Sequence, residues 1–436
     1  MISSDTSARD TSARLAEAGR DPSPAEVKSR PSRSGKEAHA PLSPPLRKSH
    51  RDLERPPFHC VALVLQGGGA LGAFQAGVYQ ALVEANLHPD WVSGISIGAI
   101  NAALIAGNAP EARLDKLHAF WDQVTAPHVP DFFGFADQGF GFADSFLSGD
   151  LGRSFVNRLH AGNTLLKGAA GFFTPRWPPP YLFPPGTIEA TSWYDTAPLR
   201  STLENLVDFD RINSGEMRFS VGAVNIRSGN FVYFDSSTHT IKPEHILASG
   251  ALPPGFPPVE VEGELYWDGG LVSNTPLQWV VQGDTRQDTL AFQVDLWSAR
   301  GEVPRDLAGV LVRQKEIQYS SRTRANTNQF KQIQSVRGAL ANVLEKLSPE
   351  ILDSEDGKIL QSVADHRVYK IVHLIYRSKN YEGQSKDYEF SRLSMRDHWE
   401  AGYNDAIRTL RHPEALQRPT DRTGVATFDL AVNGRE

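Results

Sequence analysis

VALVLQGGGALGAFQAGVYQALVEANLHPDWVSGISIGAI, residues 61–100, decides the fold. Residues 60–65 (Cys60, Val61, Ala62, Leu63, Val64, Leu65) are apolar without a break, the pattern of a parallel strand covered on both faces. Glycines then open a turn, after which Phe74, Val78, Ala81, Leu82 and Ala85 recur at helical spacing. Asn86, His88 and Pro89 end that helix, and Trp91–Ile95 is the next short strand. Strand, helix and strand make a βαβ unit, whose fixed handedness sets the two strands parallel. The second strand runs through Gly94-Ile95-Ser96-Ile97-Gly98 into a helix of small residues, Ala99, Ala102, Ala103 and Ala106. Two turns of special backbone chemistry therefore lie at one edge of one sheet. The class that follows is α/β: a three-layer, mostly parallel sheet flanked by helices, with a C-terminal helical extension.

The rest of the chain is that of an ordinary globular protein. Of its 436 residues, 40% are hydrophobic and 22% charged, enough apolar material for a sizeable core. A net charge of −6 gives no reason to expect a nucleic-acid partner. The single cysteine, Cys60, can form neither an internal disulfide nor a paired zinc site and reads as a small buried hydrophobe. The first twenty residues lack the apolar stretch of a secretory signal. No window approaches the roughly 18–20 apolar residues of a membrane-spanning helix. The expected location is cytoplasmic, with any membrane contact peripheral; oligomeric state leaves no mark on the sequence.

Residues 1–57 hold 11 Lys and Arg against 8 Asp and Glu and almost no aromatics, the composition of a disordered tail. The main domain is expected over 58–300. Within it, 127–193 holds ten of the 22 Phe among many Gly and Pro, and neither helical nor strand periodicity is visible. This reads as an insertion, serving as an apolar lid or acyl-chain pocket. Residues 194–212 look helical, and a hairpin turns at Arg227-Ser228-Gly229-Asn230. A short strand, Glu264–Trp267, leads to Asp268-Gly269-Gly270. Beyond 300 the expectation is an accessory region to 412 with a helix over 304–347, a strand over 367–376 that joins the sheet and a helix over 391–411. Residues 413–436 are expected as a tail.

Gly67-Gly68-Gly69-Ala70-Leu71-Gly72 fits G-x-G-x-x-G, but a dinucleotide fold needs an acidic residue at the end of the next strand, and none stands there. What remains is a run of N–H groups at a helix N-terminus, suited to a developing anion. Ser96, between Gly94 and Gly98 at a strand-to-helix turn, has the setting of a nucleophile elbow. His366, His373, His398 and His412 lie downstream and make a Ser-Asp-His arrangement formally available. Asp268 ends a strand before two glycines that keep its carboxylate uncovered, so a Ser-Asp dyad is also workable. A free carboxylate is a weak base for an alcohol, with a pKa of about 3.9, and desolvation would raise it. A His-dependent esterase, a non-catalytic lipid-binding module and a nucleotide-binding protein stay open on the residues alone.

G-G-G-A-L-G, then G-I-S-I-G, then D-G-G, in this order, resemble the patatin-like phospholipase family. ASGALPPGFPPV (248–259) and Asn274-Thr275-Pro276 belong to the same likeness, which covers roughly 58–300. Near 394–406, SMRDHWEAGYNDA resembles a bacterial subgroup with an extra C-terminal domain. The resemblance implies Ser96 as nucleophile, Asp268 as its base, and N–H groups of Gly68 and Gly69, with Gly67, facing the oxyanion. Gly72, Gly94, Gly98, Gly269 and Gly270 would shape these turns. It also implies a lipid or other ester substrate, with no metal and no cofactor. Many relatives carry a basic residue where Ala70-Leu71 stands here, which favours a plain carboxylic ester over a phosphate-directed site.

Overall fold

The computed structural model describes residues 45–126, 149–283, 286–320, 323–379 and 381–433. Nine strands among them form one sheet. They are β1 Cys60–Leu65, β2 Trp91–Gly94, β3 Arg218–Asn225, β4 Phe231–Asp235 and β5 Val259–Val261. The others are β6 Glu264–Asp268, β7 Thr289–Asp295, β8 Tyr369–Ile375 and β9 Val425–Asp429. Their order is β9-β8-β7-β1-β2-β3-β6-β5, with β4 also paired to β3. Every pair from β9 across to β3 is parallel. β4, β6 and β5 join antiparallel.

The unbroken apolar run of β1 has its physical reason in this position. Val61, Leu63 and Leu65 point into one core, while Ala62 and Val64 point into the other with Cys60. Helices α1 Ala73–Glu84, α2 Ile97–Ala106 and α3 Arg113–Val124 cover the first face. Next in the chain come α4 Asp150–Lys167, α5 Ala197–Leu206, α6 Phe209–Asn213 and α7 Pro243–Ser249. The second face is closed by α8 Leu277–Gln282 and by Phe330 of α10 Thr323–Leu344. Helices α9 Leu307–Tyr319, α11 Glu355–Val363 and α12 Arg392–Leu410 complete the set used below. α12 lies against α1 at backbone distance: a Cβ on Gly77 would stand 1.9 Å from the carbonyl of Trp399.

Several expectations need correction. Residues 149–193 do contain a helix, α4, whereas 127–148 lie outside the described residues. The apolar side chains of α4 that carry spacing, Phe155, Leu159 and Leu166, are exposed, while Asn157, Ala161 and Thr164 face inward. Its polarity is inverted, so it does not read as a core-facing helix. Residues 194–212 form two helices, α5 and α6, and the span 304–347 holds α9 and α10 as separate helices. The supposed tail at 413–436 contributes β9 to the main sheet. At the other end, 45–57 are tied to the body: Arg47 donates its N–H to the Arg411 carbonyl at 2.7 Å, and Asp52 donates to Glu84 at 3.1 Å. The remainder of the expected N-terminal tail, 1–44, lies outside the described residues.

Candidate active site

Parallel strands bring their carboxyl ends to one edge of the sheet, and the crevice beyond that edge is where such folds bind ligands. The glycine turn follows the end of β1, and Ser96 follows the end of β2. β3 explains how Asp268 reaches them. β2 has only four residues, so its pairing with β3 stops at Gly94 opposite Val221. β6 takes over the same edge of β3, with Asp268 opposite Ala223. The ends of β2 and β6 thus meet head to head along β3, two residues apart in register, and the side chains that follow them converge.

Ser96 has φ 55° and ψ −122°, a strained left-handed conformation typical of the elbow turn. Its N–H donates to Ser249 Oγ at 3.1 Å. The tightness of the elbow depends on Gly98, where a Cβ would lie 2.3 Å from the Leu65 carbonyl oxygen. Gly94 is the last residue of β2. Asp268 is 2% exposed. Its Oδ1 accepts the Gly270 N–H at 2.7 Å, and the Ser96 hydroxyl stands beside it as a second donor group. Burial pushes this carboxyl up to about 6, against the opposing pull of those two donors. Gly269 and Gly270 open the 3₁₀ turn that releases the chain from β6.

The glycine turn is a second 3₁₀ turn, Gly69–Gly72, continuing into α1. Here one expectation fails. The Gly67 N–H donates to the Asn274 carbonyl at 3.2 Å, so it is not aimed at a reacting oxygen. Among the described residues the N–H groups of Gly68 and Gly69 donate to no protein acceptor. Gly72 offers its carbonyl to Asn101 Nδ2 at 3.0 Å.

Ser96, Asp268, Gly68 and Gly69 all line one cleft of about 290 Å³. Its walls are apolar, built from Ile97, Ile100, Phe172, Phe173, Leu252 and Phe256. No histidine lines it among the described residues. His398 instead bonds Glu382 at 2.9 Å, His366 bonds Glu345 at 3.1 Å, and His412 bonds Glu414 at 3.3 Å. His373 lies within β8.

Sequence reasoning missed Gln66 and Asp295, and it named Asn274 and Thr275 only as part of the family likeness, with no role in holding the glycine turn. Gln66, fully buried, accepts the N–H groups of Leu296 and Trp297 at 2.7 and 2.9 Å and donates to Thr275 Oγ1 at 2.8 Å. Asn274 Nδ2 donates to the Gly67 carbonyl at 3.0 Å. Asp295, at the end of β7, is a second buried carboxyl, pushed up to about 7 by burial against hydrogen bonds from Gln293 and Thr275. For Gln66 the available signal was a polar residue directly after an apolar strand.

A family model described as patatin-like phospholipase matches residues 63–281, half of the chain. The chain belongs to the patatin-like phospholipase family. A second model, described as patatin phospholipase, matches residues 317–422 of this patatin-like chain. Lysophospholipase nte1 of Aspergillus terreus is 50% identical over 60 residues, which are 14% of this chain and 4% of that protein. Patatin-like phospholipase domain-containing protein 7 of Rattus norvegicus is 48% identical over 48 residues, 11% of this chain and 4% of its own length. The patatin-like chain thus matches a small fraction of the length of these curated relatives. Among solved structures, VipD of Legionella pneumophila aligns over 86% of this chain and 73% of its own, at 15% identity and a TM-score of 0.36.

Proposed function

We propose that the protein is a serine acyl hydrolase that cleaves carboxylic ester bonds of lipids through a Ser96-Asp268 dyad. The observation that carries this reading is that Ser96, on its strained elbow turn, and the buried carboxylate of Asp268 line one apolar cleft together with Gly68 and Gly69. Ser96 Oγ attacks the ester carbonyl carbon while its proton passes to Asp268. The carbonyl π electrons move to oxygen, and the N–H groups of Gly68 and Gly69 stabilise the resulting oxyanion. Collapse breaks the bond to the alcohol oxygen, which leaves with the proton from Asp268. Water then attacks the acyl-serine, again giving its proton to Asp268, and Ser96 recovers a proton as the fatty acid departs. A carboxylate raised toward neutrality is a better base for this cycle than an ordinary one. The absence of histidine from the described cleft lining favours the dyad over a Ser-Asp-His arrangement.

The apolar walls suit an acyl chain, and family membership supports lipid ester hydrolysis. A peripheral lipid contact is part of the same reading. The exposed stripe Phe155, Leu159 and Leu166 on α4 is flanked by Arg158 and Lys167, and its neighbour Leu165 lines the cleft. An apolar stripe with basic flanks fits an anionic lipid surface. No helix among the described residues is long and apolar enough to cross a membrane.

The test is fatty-acid release from a panel of phospholipids, acylglycerols and soluble esters by the wild type, Ser96→Ala and Asp268→Asn. Release from at least one lipid, abolished in Ser96→Ala and strongly reduced in Asp268→Asn, is expected. Full activity of Asp268→Asn would refute the dyad.

A further inference from the structure

Two adjacent residues of α9, Lys315 and Glu316, meet two adjacent residues of the segment before α12, Lys386 and Asp387, in crossed ion pairs. Lys315 Nζ lies 2.9 Å from both carboxylate oxygens of Asp387. Lys386 Nζ lies 2.9 Å from Glu316 Oε1. Lys315 also donates to the Gln384 carbonyl at 3.0 Å, fixing the turn that presents Asp387.

Each pair ends on the glycine turn. The main-chain carbonyl of Asp387 accepts the Ala70 N–H at 2.8 Å. The Lys386 ammonium stands 5.0 Å from the centre of the Trp297 ring, whose Nε1–H donates to the Gly67 carbonyl at 3.0 Å. The turn is therefore gripped at Gly67 and at Ala70. Between them lie Gly68 and Gly69, whose N–H groups are left over for a ligand. The approach at Gly69 (φ +56°) is so close that a Cβ would sit 2.0 Å from the Asp387 carbonyl oxygen. That contact and that backbone angle together require glycine.

We infer that this double clasp makes the C-terminal region a working part of the site, with Lys315 as a positioning residue for the oxyanion donors. The inference rests on the acyl-transfer reading of Ser96 and the glycine turn. Donors stabilise an oxyanion only if they are held where the charge develops, before the reaction begins. A misplacement on the order of 1 Å can cost about 100-fold in rate. The Lys315–Asp387 pair is partly exposed, with side chains 32% and 21% accessible, so it contributes little to overall stability. Its loss is read in the reaction rather than in unfolding.

The test uses the full chain and the soluble ester p-nitrophenyl butyrate, with Lys315→Met, Lys315→Arg and Asp387→Asn. kcat, KM, the rate of fluorophosphonate labelling and the thermal midpoint are measured for each. Lys315→Met and Asp387→Asn are expected to lower kcat and the labelling rate about tenfold, within the loss that small misplacements bring. KM and the midpoint should stay near wild type. Lys315→Arg should restore most of kcat, and a Lys315→Met/Asp387→Asn double variant should be no worse than either single one. Wild-type kcat in both single variants would overturn the clasp. So would a loss that tracks a lowered midpoint and is not rescued by arginine. A wild type that hydrolyses no ester would overturn the acyl-transfer reading, and the clasp with it; an active wild type matched by both variants overturns the clasp alone.

Discussion

On the proposed dyad Asp268 can act as a base only when ionised, and burial holds its carboxyl up to about 6. Activity on a soluble ester is therefore expected to fall as pH drops through about 6, with a plateau above. A pH–rate profile of kcat/KM checks this; a limb near pH 4, where an ordinary carboxylate titrates, would contradict it. The same shift has a stability consequence. The folded state holds this proton more tightly than the unfolded chain does, so the group supports folding fully below about 3.8. That support is lost as pH rises through about 6. Asp268→Asn should accordingly gain on the wild type between pH 4 and pH 8, by on the order of 2–3 kcal/mol from about two pKa units. Denaturant unfolding of both proteins at the two pH values measures it. That Ser96 and Asp268 belong to one cleft was legible because each stands beside glycines where a strand turns. Gly67 was misjudged because its N–H partner, the Asn274 carbonyl, comes from far along the chain, and no local pattern announces it.

Among the elements, α4 is one that the sequence reading passed over inside a Phe-, Gly- and Pro-rich stretch, and its spaced apolar residues face outward. That inversion carries a prediction. Replacing Phe155, Leu159 and Leu166 together by Ser should weaken co-sedimentation with vesicles containing phosphatidylserine at least tenfold, since about 0.8 kcal/mol is lost for each buried CH₂ removed. Hydrolysis of a soluble ester should remain at the wild-type level, because these three side chains do not line the cleft. Unchanged vesicle binding would remove α4 from the lipid contact. β2 and β6 were expected as short strands, yet their end-to-end meeting along β3 was not foreseen. It follows from a register that only long-range pairing defines.

For the molecule as a whole, the boundary expected at residue 300 divides a continuous structure. β8 pairs with the inner strand β7 from Tyr369 to Ile375, β9 extends the sheet further, and α12 covers α1. A chain ending at 300 would leave β7 as an unpaired edge and the apolar surface of α1 uncovered. It should be insoluble or unfolded, as judged by circular dichroism and size exclusion; a stable, folded 45–300 fragment would contradict this. The parallel core was readable from residues 61–100, because strands buried on both faces must be apolar throughout. The contribution of the C-terminal region was readable only as a strand joining the sheet, since ion pairs such as Lys315–Asp387 have no signature in spacing. The central claim, that Ser96 attacks and Asp268 takes its proton, is tested most directly by mass-spectrometric mapping of a fluorophosphonate adduct on the intact chain. The account predicts one adduct, on the peptide carrying Ser96, absent in Ser96→Ala and formed far more slowly in Asp268→Asn. An adduct on another residue, or labelling that survives Ser96→Ala undiminished, would contradict it.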